Sequence, residues 1–328
     1  MQDGGLTEVL AEAVAAGRPD GYLLFAGEDA DTASRAVGGR RIVWSRRAGS
    51  PTEPQLWPSG GPFAGAALRL PRAREEIDMS LHALASVMTS GATLFVYGPN
   101  SEGIRSAADK LAPLFEDPET LLTKRHARVL KARRADTLPG LRPTLSDWRT
   151  EGVIGAAATP WVSYPGVFAG GRVDEGTMLL VRNLPPIGPQ AACLDFGCGT
   201  GPLARAIHEV AQFAAIDMLD ADIVALEAAR ENVPAARAML GTGLSACGPA
   251  RYDVIVSNPP IHRGSDLDFN VVQRLVSKAP QHLKPSGVLR LVVQQTVPVP
   301  LFAEGVFAGV DLVVEEQGYR IWNLSGAA

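Results

Sequence analysis

The chain has 328 residues, 46% hydrophobic and 20% charged, the ordinary balance of a globular protein, and its length exceeds what one core usually serves, so two domains are expected. A net charge of −4 argues against a protein that coats nucleic acid non-specifically, and no stretch approaches the roughly 20 apolar residues of a bilayer span. Three cysteines, Cys193, Cys198 and Cys247, lack C-x-x-C spacing and exclude a disulfide framework; with no basic segment and apolar run after Met1, a cytoplasmic protein is expected.

In the first half, residues 22–27 form an apolar run that predicts a strand. Ile77, Leu81, Leu84 and Met88 recur at helical spacing, residues 92–98 predict a second strand, and residues 104–115 a further helix. A basic run follows, Lys124, Arg125, Arg128, Lys131, Arg133 and Arg134, which by itself reads first as a solvated face and second as a phosphate contact. The Pro- and polar-rich stretch 137–143 marks a boundary, giving domains at 1–145 and 166–328 with a linker at 146–165.

The second half alternates strand and helix. Helices are expected at 175–184, 202–212, 223–232 and 269–282, and strands at 192–196, 214–219, 236–240, 253–257 and 288–295. Residues 310–316 and 319–324, around Gly318, predict a closing antiparallel hairpin. Seven strands in this order predict an α/β domain with a mostly parallel sheet.

The strand at 192–196 runs into Asp195-Phe196-Gly197-Cys198-Gly199-Thr200-Gly201 and then a helix. Glycines suit a turn on which a ligand lies against bare backbone, and the helix N-terminus favours an anionic group. A dinucleotide site wants G-x-G-x-x-G; here the third glycine comes one residue early and an acid precedes the first, which favours S-adenosylmethionine. A ribose diol needs a carboxylate near the end of the next strand, where Asp220 is the first choice, Asp222 the second, and Asp217 a structural residue. Thr242, after the following strand, is the expected neighbour of the adenine.

The most specific signal is Asn258-Pro259-Pro260-Ile261-His262, delivered by an apolar strand. Prolines fix φ and remove N–H donors, so carbonyl acceptors stay free. The Asn258 amide oxygen and the Pro259 carbonyl suit the two N–H bonds of an amino group on a π-system, whose nitrogen can then attack a sulfonium methyl in line. His262 is a candidate contact to a base or phosphate, or a proton acceptor; no spacing among the five histidines suggests a metal.

With these motifs in place, the chain resembles the bacterial ribosomal RNA guanine-N2 methyltransferases that modify small-subunit RNA, and their large-subunit relatives. The resemblance runs through Pro165-Gly166-Val167-Phe168, through Val173-Asp174-Glu175-Gly176-Thr177, through both motifs above, and through His282-Leu283-Lys284-Pro285-Ser286-Gly287. It is weaker at Leu24-Phe25-Ala26-Gly27 and at Tyr97-Gly98-Pro99-Asn100. It implies two tandem class I methyltransferase (Rossmann-like) domains, of which only the second binds cofactor. It also implies Asp174 and Thr177 beside the cofactor, and Lys124, Arg125 and Arg128 as RNA contacts. Ile261 departs from the family, which usually has an aromatic there to stack on a flipped base. The expected activity is methyl transfer from S-adenosylmethionine to the N2 amino group of a guanine in ribosomal RNA, free or in a subunit, by a monomer without metal or membrane. The alternatives are N-methylation of a protein glutamine, or a non-catalytic RNA-binding assembly protein with a vestigial pocket.

Overall fold

Short apolar runs with alternating side chains build a sheet in each half of the chain. The computed structural model describes residues 4–17, 20–154, 158–263 and 266–328, and it divides into two units, Met1–Arg149 and Thr150–Ala328.

The first unit contains α1 (Gly4–Ala15), β1 (Leu23–Ala26), α2 (Ala30–Val37), β2 (Arg41–Trp44), β3 (Phe63–Arg69), α3 (Arg74–Val87), β4 (Met88–Pro99), β5 (Phe115–Lys124) and β6 (Ala127–Arg134). Its sheet runs β2-β1-β3-β4-β6-β5, parallel from β2 to β4 and antiparallel thereafter. All four residues of β1 are buried, as a central strand covered on both faces requires. Leu24, Leu68 and Leu94 pack into one face, and Leu23, Phe25 and Phe95 into the other. The expected helix at 104–115 is instead a series of 3-10 turns, Asn100–Glu102, Ile104–Ser106 and Ala108–Lys110. Ile104, Ala107, Leu111 and Leu114 are all buried, so the apolar spacing was genuine. Pro113, which lacks an N–H and crowds the carbonyl four residues earlier, disfavours the last turn of such a helix.

The second unit contains β7 (Thr150–Ile154), β8 (Thr159–Ser163), α4 (Glu175–Arg182), β9 (Ala192–Phe196), α5 (Pro202–Val210), β10 (Ala215–Asp220), α6 (Ile223–Asn232) and β11 (Arg237–Leu240). It continues with β12 (Tyr252–Ser257), β13 (His262–Arg263), β14 (Asp266–Leu267), α7 (Asn270–His282), β15 (Leu283–Gln294), α8 (Val299–Ala303), β16 (Phe307–Glu316) and β17 (Tyr319–Ala327). The sheet order is β11-β10-β9-β12-β15-β17-β16, five parallel strands and a closing antiparallel pair, as the class I methyltransferase layout requires. Gln317 and Gly318, both at positive φ, make the tight turn between β16 and β17. Leu194, Phe196 and Ile255 pack on one face, and Cys193, Val254 and Val256 on the other.

Within the stretch expected as a linker at 146–165, the described residues are structured. It carries a 3-10 turn at Leu145–Trp148 and the antiparallel β7–β8 hairpin, whose Val162 backbone is clasped by the Asn232 side chain of α6. Trp161, Val162 and Tyr164 are buried, which a solvated linker would not allow.

Candidate active site

The glycine loop joins β9 to α5 at the carboxyl edge of the parallel strands, where open α/β sheets bind ligands. Its glycines do different work. Gly197 and Gly199 hold φ of 71° and 54°, and a Cβ added to either would meet nothing within 4 Å, so bare backbone faces open space. A Cβ on Gly201 would come within 3.1 Å of Val233 and 3.3 Å of Met218, so this glycine serves packing. The open cleft above the loop is lined by Phe168, Arg172, Asp174, Gly197, Gly199 and Asn258, among others. Bare backbone under open space fits the carboxylate end of S-adenosylmethionine.

The carboxylates divide by burial. Asp195 lies wholly buried under the loop, where one oxygen accepts the Ala204 N–H at 3.0 Å. Burial raises its carboxyl to about 7, the Ala204 hydrogen bond opposes this, and the Asp220 charge adds to it. Asp195 therefore braces the loop from below rather than facing the cleft. Phe196 and Cys198 are mostly buried and pack into the two apolar clusters, yet Cys198 also lines this cleft and Phe196 the neighbouring one. Asp220 ends β10 with its oxygens on the Gly199 N–H at 2.8 Å and the Asp222 N–H at 2.9 Å, which fixes it beside the loop and half-exposed. Asp222, the second choice for the ribose, is 4% exposed and caps α6 through the Val224 N–H, which removes it from that role. Asp217 binds Arg237 and accepts the Tyr252 hydroxyl at 2.7 Å.

Asn258 follows β12, held against β9 by the Ser257 hydroxyl on the Phe196 carbonyl at 2.8 Å. The Asn258 Nδ2 donates to both Asp174 oxygens at 3.1 Å and to the Thr177 hydroxyl at 2.9 Å. A carboxylate only accepts, so the amide orientation is fixed, and Oδ1 is the atom left for a ligand. Asp174 also caps α4 through the Thr177 N–H at 3.2 Å. The resemblance set Asp174 and Thr177 beside the cofactor; they line the same cleft, and their hydrogen bonds orient Asn258.

Pro259 is buried and Pro260 exposed. Ile261 is only 7% exposed and joins the apolar cluster of Phe196, Val272 and Leu275, so it is a core residue and not a platform for a base. The His262 backbone pairs with Leu267 in the β13–β14 ribbon, and its side chain lies outside the described residues. Thr242 sits in a second open cleft of about 900 Å³, with Phe196, Leu244, Arg274 and Lys278.

In the first unit, Lys124 pairs with Glu12 at 2.6 Å, Arg125 with Glu8, Lys131 with Glu119 at 3.4 Å, and Arg133 with Glu116. The Nε of Arg128 is buried without a hydrogen-bond partner. Carboxylates thus offset much of the charge that this run would offer an RNA backbone. Among the described residues, no group of three or more His, Cys, Asp or Glu is placed to hold a metal, and no helix is long and apolar enough to cross a membrane.

Two residues given no role from the sequence, Trp161 and Asn232, support the loop. The Trp161 indole donates to the Thr200 hydroxyl at 3.1 Å, and Asn232 donates to the Thr200 carbonyl at 3.0 Å. Asn232 ends the run Ala225-Leu226-Glu227-Ala228-Ala229-Arg230-Glu231-Asn232, which follows the candidate ribose carboxylate Asp220. Phe168, 61% exposed at the cleft, lies in the segment 165–168 of the resemblance, which by itself assigned it no role.

The methyltransferase small domain family matches residues 159–323, and the methyltransferase small domain N-terminal family matches residues 52–151. The chain is 32% identical over 309 residues to the ribosomal RNA small subunit methyltransferase C of Ectopseudomonas mendocina, covering 92% of this chain and 88% of that one. It is 33% identical over 309 residues to the Pseudomonas aeruginosa protein of the same name, with the same coverage. A solved structure, the 16S rRNA N2 methyltransferase of T. thermophilus in complex with AdoMet and guanosine, matches 98% of this chain and 92% of that one, with a TM-score of 0.84 and 22% identity. This chain belongs to the methyltransferase small domain family, as a member of the ribosomal RNA small subunit methyltransferase C family.

Proposed function

We propose that the chain transfers a methyl group from S-adenosylmethionine to the exocyclic N2 amino group of a guanine in small-subunit ribosomal RNA. The observation that carries this is the Asn258 amide, turned by Asp174 and Thr177 so that its oxygen is left for a substrate N–H. The relatives' names support the RNA class, and the T. thermophilus complex with guanosine supports the base.

Gly197 and Gly199 would hold the amino-acid end of the cofactor, Asp220 the ribose, and Thr242 would lie near the adenine. When bound, S-adenosylmethionine supplies a methyl carbon activated by a sulfonium. Asn258 Oδ1 and the Pro259 carbonyl accept the two N–H bonds of the guanine amino group and aim its nitrogen at that carbon. Pro259 and Pro260 offer no competing N–H. After transfer the nitrogen is cationic and sheds a proton to water, so no strong base is required. Every residue in this scheme comes from one chain, which acts as a monomer without a metal ion.

The test is labelled methyl transfer to small-subunit rRNA taken from a strain lacking this activity, followed by nucleoside analysis. Label in N2-methylguanosine is expected. Label in another nucleoside or in a protein glutamine, or no transfer, overturns the reading.

A further inference from the structure

We propose that Phe168 is the aromatic platform on which the acceptor base stacks, in place of the side chain that follows Asn-Pro-Pro. This rests on the reading of the site as a base methyltransferase. Two observations lead to it. Ile261 is unavailable: it is 7% exposed and packed among Phe196, Val272 and Leu275. Phe168 is available: its ring is 61% exposed, and it lines the cleft that also holds Asn258, Gly197 and Gly199.

The local backbone explains how the ring comes to be presented. Tyr164 and Val167 are each 6% exposed and anchor the segment, with the Val167 N–H on the Tyr164 carbonyl at 3.5 Å. The chain then turns sharply, the Gly170 N–H meeting the Val167 carbonyl at 3.2 Å and the Arg172 N–H the Ala169 carbonyl at 3.1 Å. Ala169 and Gly170 both adopt left-handed φ, 57° and 58°. That conformation is costly for alanine, and strained residues cluster at ligand sites. An anchored turn thus holds an apolar ring out of the core, on the wall of the cleft that presents the Asn258 amide. A single exposed phenylalanine is ordinary on a surface. One that shares a cleft with a fixed hydrogen-bond acceptor for an amino group has the chemistry of a base site, because every nucleobase has a π-face and base–aromatic stacking is a main source of affinity for an unstacked base.

The experiment compares wild type with Phe168→Ala, Phe168→Tyr and Phe168→Trp in methyl transfer to small-subunit rRNA, with cofactor affinity measured separately by calorimetry. Phe168→Ala should raise KM for RNA on the order of tenfold while cofactor Kd stays within about twofold. Phe168→Tyr, which keeps an aromatic face, should restore KM. In Phe168→Trp, guanosine 5′-monophosphate with S-adenosylhomocysteine present should quench the emission of the new, exposed indole. Unchanged KM in Phe168→Ala, or a change confined to cofactor Kd, overturns the assignment while leaving the methyl transfer reading intact. If the wild type transfers nothing to guanine, both fall together.

Discussion

The six-stranded sheet of the first unit and the seven-stranded sheet of the second both run from parallel strands to a closing antiparallel pair, and they carry different residues at one matching position. In the second unit Phe196 pairs with Ser257, so Gly197 is followed across the sheet by Asn258. In the first unit Ala26 pairs with Leu68, so Gly27 is followed by Arg69. Gly27 shares the positive φ of Gly197, 110° against 71°, yet a Cβ on Gly27 would lie 2.5 Å from the Arg69 Cβ, where one on Gly197 would meet open space. The Arg69 guanidinium, 7% exposed, lies 2.5 Å from Glu102 and 3.4 Å from Glu28, and the buried Tyr97 hydroxyl donates to Asp29 at 2.6 Å. The Cβ and backbone of Arg69 thus fill the position that the second unit leaves open, and its guanidinium runs on to these carboxylates. The lesson is that this sheet does not by itself make a cofactor site; empty space above a glycine does.

Breaking the cluster is the strongest test of that comparison. Arg69→Ala should destabilise the first unit by about 3–5 kcal/mol, because Asp29 and Glu102 lose a buried countercharge. Chemical denaturation reads this, and calorimetry should still find one cofactor per chain, because alanine keeps the Cβ that crowds Gly27; a second bound equivalent would mean that the guanidinium, and not the Cβ, closes the first site. Next in size is Asn258→Ala, which should lower kcat on the order of 10²–10³-fold with cofactor affinity unchanged. Normal turnover in that variant would remove Asn258 from the reaction. Asp174→Asn has a smaller expected effect, a fall in kcat of roughly tenfold, since an amide partner no longer dictates which way Asn258 points. A change in cofactor Kd without a change in kcat would instead return Asp174 to the cofactor.

A separate test, in pH rather than in turnover, concerns Asp195, whose carboxyl is raised from 3.8 to about 7 by burial. Between those values the folded chain holds a proton that the unfolded chain has released, so this residue makes stability fall as pH rises from about 4 to 7 and adds no slope above that. Asp195→Asn cannot titrate and should flatten the melting temperature over that window; an unchanged slope would show that another group sets it.

How much of the site was legible follows from where its determinants lie in the chain. Asp195 to Gly201 and Asn258 to Pro260 are contiguous, and each was readable because a strand end and a turn are local features. The separate tasks of the glycines were not, since Val233 and Met218, which crowd Gly201, come from other elements. Asp222 carried the right chemistry for a ribose in one dimension and is spent on a helix cap in three. The hairpin at 150–163 was missed because its Gly- and Pro-containing chain has little periodicity, and it is held by Asn232, about 70 residues away.

By itself the sequence determined the class of fold, the glycine turn and the Asn-Pro-Pro acceptor, because strand periodicity, backbone permissiveness and the missing N–H of proline are properties of neighbouring residues. Tertiary structure decided which way the Asn258 amide faces, since Asp174 is 84 residues away. It decided that Ile261 enters the core while Phe168 faces the cleft, since burial depends on what packs from elsewhere. It also decided that the glycine after one first strand is open and that after the other is closed, since a side chain from the adjacent strand fills the space.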